Sequence, residues 1–201
     1  MVPGNFYHIY NHANGRENLF IEPKNYYFFM EKISLYLLPF VNLHPYCLLP
    51  NHFHLLITIK QIEEIKLLES FTTFQKLPDE KFQPIIEKKI SKAFSNLFSS
   101  YTQAFNKVYN RKGSLFIPNM KSILIEDESG LCKVTWYIHA NPVHHRFVKN
   151  MGDWKFSSFN SYLSDSETKL SKEEILNIFG SKEYFISYHK QPIEVKYKWD
   201  A

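Results

Sequence analysis

Cysteine is scarce in this chain of 201 residues: there are two, Cys47 and Cys132, far apart in sequence. Both sit in apolar surroundings, so they read as buried free thiols in a reducing compartment and not as part of a disulfide framework. Long hydrophobic runs are missing as well. No stretch approaches the length of a bilayer span and the first residues lack a signal-peptide pattern, so the expectation is a cytoplasmic protein with no membrane partner. Repeats, low-complexity tracts and obvious linkers are absent too. The length then fits one domain with a good core, or one domain plus a short appendage.

What the chain does have is apolar and aromatic. Hydrophobic residues make up 44%, which excludes a disordered chain, and aromatics 17%, with 18 Phe and 13 Tyr. Such rings fill cores, and their faces also stack on unpaired bases. The net charge of +4 suits a phosphate-rich partner without requiring one.

Residues 6–10 are rich in aromatic and β-branched types and read as a strand. Residues 11–16 form a turn centred on Asn14-Gly15. Helical spacing of Tyr27, Met30, Ile33 and Leu37 predicts a helix over 23–40. Residues 41–50 read as a strand broken near Pro45, and 53–59 as a third strand pairing with it. Residues 61–110 are mostly helical: Ile65, Leu68, Phe71 and Phe74 lead to a break at Pro78-Asp79, and 85–109 form a long amphipathic run. Residues 114–125 read as extended. A helix starts near 127–130 and runs over 131–140, ending or kinking near Asn141 because Pro142 follows. Ser171 and Glu174 form a capping box for a short helix over 171–179. The order β-α-β-β-α-β-α predicts an α+β fold with a ferredoxin-like antiparallel sheet and helices packed on it.

The sharpest local feature is Pro50-Asn51-His52-Phe53-His54-Leu55-Leu56. On a strand, residues two apart share a face, so His52 and His54 present two imidazoles side by side while Phe53 points into the opposite, buried layer. An H-x-H pair by itself reads as two histidines on a solvated strand. The apolar run after His54, however, places this strand centrally, where a paired polar face calls for an explanation. Structural zinc fits poorly, since no other Cys or His pair has the spacing and Cys47 is too isolated to complete a set. A catalytic divalent metal with open positions fits better, Mg²⁺ or Mn²⁺, imidazole favouring Mn²⁺.

The second feature is Trp136-Tyr137-Ile138-His139-Ala140-Asn141-Pro142. Tyr137 and Asn141 stand four apart, on one helix face. The Asn141 side-chain oxygen can complete a metal site begun by two histidines. The metal would polarise a phosphodiester oxygen, and the Tyr137 phenol would attack phosphorus to give a covalent phosphotyrosine. A phenol with a reference pKa near ~10 needs help losing its proton at neutral pH. His139 lies on another face and reads as a structural or surface residue.

Further segments occur with these in a fixed order: Tyr-His-Ile-Tyr-Asn at 7–11, Leu-Pro-Asn-His-Phe-His-Leu-Leu at 49–56, Phe105-Asn106, Gly113-Ser114-Leu115-Phe116, Tyr-Ile-His-Ala-Asn-Pro-Val at 137–143, and Trp154-Lys155-Phe156-Ser157-Ser158. Over residues 3–163 the chain resembles the REP-associated tyrosine transposases, a branch of the single-tyrosine HUH transposases. That resemblance implies His52 and His54 as metal ligands on a central strand, Tyr137 as the nucleophile and Asn141 as the residue completing the metal site. It implies cleavage of single-stranded DNA that leaves a 5′-phosphotyrosine and a free 3′-OH. The substrates would be palindromic elements that fold into hairpins beside a guide sequence, and the protein would act as a monomer or homodimer. Residues 1–163 would form this domain, with 164–201 an extension packed on or beside it. Arg16, Arg111, Lys112 and Lys121, all in or beside turns, are the candidates for holding the DNA backbone, and residues 7–16 for reading guide bases. Two other readings compete: a hairpin-binding module without catalysis, and an unrelated metal hydrolase that does not need Tyr137. The absence of a further acidic cluster near either motif counts against the latter.

Overall fold

The structure, a computed structural model, describes residues 1–68 and 75–192; Phe71 and Phe74 of the expected helical spacing lie outside them. Among the described residues the elements follow one another as β1 (Phe6–His12), α1 (Pro23–Tyr36), β2 (Val41–Leu49), β3 (His52–Ile59), α2 (Ile62–Lys66), α3 (Asp79–Val108), β4 (Lys121–Ile125), α4 (Glu128–His144), α5 (Phe159–Leu163), α6 (Lys172–Phe179) and α7 (Lys182–Tyr188), with a 3-10 turn at Met151–Asp153 before α5. The strands form one antiparallel sheet in the order β2-β3-β1-β4. This is the ferredoxin-like arrangement expected from the order of elements, with the histidine-bearing β3 in the interior of the sheet.

Alternation along the strands divides the sheet into two faces. Phe53, fully buried, points to the α1/α3 layer, where it meets Phe29, Phe98 and Phe116. The other face carries the alternate residues of β3, His52 and His54, and is covered by α4, which packs on β2 and β3. Ring packing of this kind contributes both burial and edge-to-face contacts. The described part of the C-terminal region joins the same core. Ile175, Phe179 and Phe185 belong to the main buried cluster, and the Ser171 amide donates to the Leu43 carbonyl on β2.

Several boundaries differ from the sequence expectation. Helix α1 stops at Tyr36 and not at 40, because Pro39 cannot donate and Leu38 before it is pushed away from helical angles; a tight turn over 37–40 leads into β2 instead. The break near Pro45 is present as a register shift between Leu43 and Tyr46. Helix α3 begins at Asp79, six residues before the expected start, and runs through Pro84. That proline lies in the second turn and removes one hydrogen bond, while Phe82 and Ile86 on either side are buried. Residues 114–120 are not a continuous strand. They make an isolated bridge from Phe116 to Ala13, and Pro118 with the left-handed Asn119 ends the ladder before β4.

Two local expectations are corrected. Helix α4 does not end at Asn141 but continues through Pro142 to His144. A proline in the last turn removes only the bond to the Ile138 carbonyl, and His145 N–H still closes on the Asn141 carbonyl. Ser171 does precede α6, but its side chain makes no capping bond. Glu174 lies instead 3.5 Å from His44 Nε2, so the expected box is not formed.

Candidate active site

The two sequence features converge. His52 and His54 project from β3 toward α4, and their rings lie 5.2 Å apart, centre to centre. Asn141 reaches them from α4, with Oδ1 2.9 Å from His52 Nε2. Tyr137, one turn earlier on the same helix face, sets its ring edge-on to His54 at 5.3 Å. Asp127 starts this helix as an N-cap, accepting from the Gly130 amide, and Val134 and Ile138 anchor it in the core. Tyr137 and Asn141 are thus fixed by a rigid element on each side of the gap.

The site contains more imidazoles than the sequence reading assigned. On β1, His8, Tyr10 and His12 alternate on the same face as the pair on β3, because Tyr10 stands opposite His54 and His12 opposite His52. His8 Nε2 lies 3.0 Å from His54 Nδ1. His12 stacks on His52 at 4.8 Å, and His145, one turn beyond Asn141, meets the same ring edge-on at 4.9 Å. Sequence reasoning missed His8, His12, His145 and Asn51. The period of two along residues 8–12 was the available signal for the first two, once β1 is paired with β3. His145 was hidden by ending α4 at Asn141; the continued helix places Tyr137, Asn141 and His145 on one stripe.

Burial keeps His8, His52 and His54 neutral. It lowers His52 to about 3, with the Asn141 contact acting against it and His12 and His145 adding to it. It lowers His8 to about 3 as well, and it holds His54 well below the ordinary range with help from its histidine neighbours. A neutral imidazole carries one N–H. His52 nevertheless faces two amide oxygens, Asn51 Oδ1 at 2.8 Å from Nδ1 and Asn141 Oδ1 at 2.9 Å from Nε2. With Nδ1–H donating to Asn51, the Nε2 lone pair is left facing an oxygen lone pair. The fully buried Asn141 Nδ2, meanwhile, has no partner among the described residues. Turning the amide over would orphan Oδ1 instead.

A divalent cation would resolve this mismatch. Two donors on adjacent corners of an octahedron with bonds of about 2.1 Å stand about 3.0 Å apart, close to the 2.9 Å between Nε2 and Oδ1. Among the described residues no three His, Cys, Asp or Glu side chains are arranged to hold a metal, so the donor set that fits is two imidazoles and one amide. His8 stands behind His54 and does not join it.

The expected phosphate-binding residues divide into two kinds. Arg16 and Lys112 are exposed in neighbouring turns at the His12 end of the sheet, which are joined where the Asn14 amide donates to the Leu115 carbonyl. Lys121 is exposed and stands opposite Tyr10, in the cross-strand row that continues to His54. Arg111 is different. Its guanidinium grips both carboxylate oxygens of Glu17 and also donates to Asn106 Oδ1 and the carbonyls of Gly113 and Ser114. Its donors hold the turn together and are not available to a phosphate. His139, which the sequence left as structural or surface, is fully buried between Ser158 Oγ and His189 Nε2. Cys47 is buried and Cys132 partly so, and both are free thiols. Among the described residues no helix is long and apolar enough to cross a membrane.

No family model matches the chain, and no curated protein matches it. A solved structure does: that of a REP-associated tyrosine transposase bound to a REP hairpin, at a TM-score of 0.57 and 19% identity, over 82% of each chain. The fold is therefore the one the sequence resemblance implied.

Proposed function

We propose that this protein is a metal-dependent enzyme that cleaves and rejoins single-stranded DNA through Tyr137, acting on hairpin-forming, REP-like elements in DNA transposition. The observation that carries this is the approach of Asn141 Oδ1 to His52 Nε2 at 2.9 Å, with Tyr137 one turn away over His54. The fold likeness supports it, because the similar structure is described as bound to a REP hairpin.

In this reading His52, His54 and Asn141 hold a divalent metal, Mg²⁺ or Mn²⁺. Such an ion polarises a phosphodiester oxygen and lowers the cost of charge building on phosphorus. The residues of the chain do the rest. Helix α4 holds the phenol oxygen for in-line attack. The new bond is Tyr137 Oη to phosphorus, the bond that breaks is phosphorus to the 3′ oxygen, and the phenol proton ends on the departing 3′-OH. The 5′-phosphotyrosine conserves the energy of the broken ester, so a 3′-OH can reverse the step with a different strand. Burial of His52 and His54 keeps them neutral and able to ligate. Arg16, Lys112 and Lys121 steer the backbone. Residues 1–163 carry this chemistry, with 164–201 as an extension to it, and the active form is a monomer or homodimer in the cytoplasm.

The test is a covalent adduct. Incubation with Mn²⁺ and single-stranded DNA from palindromes flanking the gene should give a protein–DNA band stable to denaturant with the wild type and none with Tyr137→Phe. Adduct persisting in Tyr137→Phe removes this tyrosine from the mechanism. Hairpin binding with neither metal dependence nor cleavage leaves the non-catalytic binding module.

A further inference from the structure

The proposed ligands His52 and His54 are each held from behind at Nδ1. For His52 the partner is the Asn51 side-chain oxygen at 2.8 Å, which can only accept. For His54 it is another imidazole, His8 Nε2 at 3.0 Å, and the two residues are 0% and 2% exposed. Water is excluded from this contact, so the two rings must satisfy each other.

An N···N contact between neutral imidazoles holds a single proton, and the two ways of placing it have opposite consequences. If His8 Nε2 donates, His54 Nδ1 accepts and its own proton sits on Nε2, which cannot then ligate. If His54 Nδ1 donates, its Nε2 carries a lone pair and is available. Ligating histidines ordinarily give their second N–H to a carboxylate or carbonyl; here an imidazole occupies that place. We propose that His8 is a positioning residue for the metal site: its Nε2 accepts the Nδ1 proton of His54 and so fixes the tautomer that leaves His54 Nε2 open to a divalent cation. The strand register delivers it. His8 lies two residues from Tyr10, which stands directly opposite His54, and this is the diagonal position from which a long side chain reaches across an antiparallel pair. The inference rests on the metal-site reading above and adds to it a residue that touches neither ion nor DNA.

The tautomer can be read in the metal-free wild-type protein by long-range ¹⁵N–¹H correlation spectroscopy of its histidines. His54 protonated at Nδ1 is the expected result, and His54 protonated at Nε2 overturns the proposal whatever the variants do. Binding of Mn²⁺ alone is then titrated by electron paramagnetic resonance for wild type, His8→Leu and His8→Gln. The glutamine Oε1 can stand in for the accepting nitrogen. His8→Leu should bind about 10–100-fold more weakly, and His8→Gln should recover to within about threefold of wild type. Wild-type affinity in His8→Leu, or equal losses in both variants, overturns the role of His8. A wild type that does not bind Mn²⁺ overturns the metal site itself, a separable failure.

Discussion

Replacing Asn141 by leucine separates what this side chain contributes to the fold from what it contributes to the site. The amide is fully buried and its Nδ2 has no partner among the described residues, a condition that costs on the order of 1–3 kcal/mol. With the His52 N–H directed at Asn51, the Asn141 Oδ1 faces a lone pair, so in that tautomer little stabilisation is lost with it. Leucine has nearly the same shape and is the better helix former by about 0.5 kcal/mol. The metal-free variant should therefore match or exceed the wild type, by up to about 2 kcal/mol of unfolding free energy with an unchanged urea m-value. Added Mn²⁺ should reverse the order. At about 100 times its dissociation constant the ion stabilises the wild type by about 2.7 kcal/mol, and a hundredfold loss of affinity leaves about 0.4 kcal/mol in the variant. Urea titrations in EDTA and in Mn²⁺ measure both. A variant destabilised by more than about 2 kcal/mol in EDTA would show that the amide is a structural group, and full Mn²⁺ stabilisation of the variant would remove Asn141 from the ligand set.

Lys121→Ala should weaken binding of unrelated single strands as much as of hairpins and reduce the salt slope by about 0.7, whereas Arg111→Ala should lower the unfolding midpoint through loss of the Glu17 clasp; filter binding at several salt concentrations beside a thermal melt distinguishes them. Acid should unfold the metal-free protein early. His8 and His52 are lowered to about 3, and His44 and His189 to about 4, with burial the leading cause in each. The unfolded chain takes up protons below about pH 6.5 while the folded one does not, so their stabilisation is complete above that pH and is lost as pH falls toward 4. Each such imidazole costs about 1.4 kcal/mol per pH unit. Four of them cost roughly 5 kcal/mol per unit, against a typical total stability of about 5–15 kcal/mol. Circular dichroism should place the midpoint between about pH 3.7 and 5.6, and a fold intact at about pH 3 would refute the buried neutral histidines.

The part of the site that was legible in sequence is the part set by local geometry. His52 and His54 share a face because a strand has a period of two, and Tyr137 and Asn141 share one because a helix has a period near four. Phe53 was assigned to the opposite layer for the same reason, and its neighbours Phe29 and Phe98 are where it points. Errors arose where local rules compete with packing. Pro142 reads as a helix end, yet the buried stripe Val134–Ile138 and the Asn141 carbonyl bond hold α4 together for another turn. Arg111 in a basic turn reads as a phosphate ligand, but whether an arginine is available depends on a carboxylate 94 residues away.

By itself, then, the sequence determined the order of elements, the α+β class and the two side-chain pairs, all consequences of short-range periodicity. The tertiary structure alone decided that these pairs meet, since His52 and Asn141 are 89 residues apart and only the crossing of α4 over β3 brings Oδ1 to Nε2. It also decided the protonation pattern of the site. The register of β1 against β3 puts His8 behind His54, and burial holds His8, His52 and His54 neutral, a matter of desolvation that no residue carries in its own type.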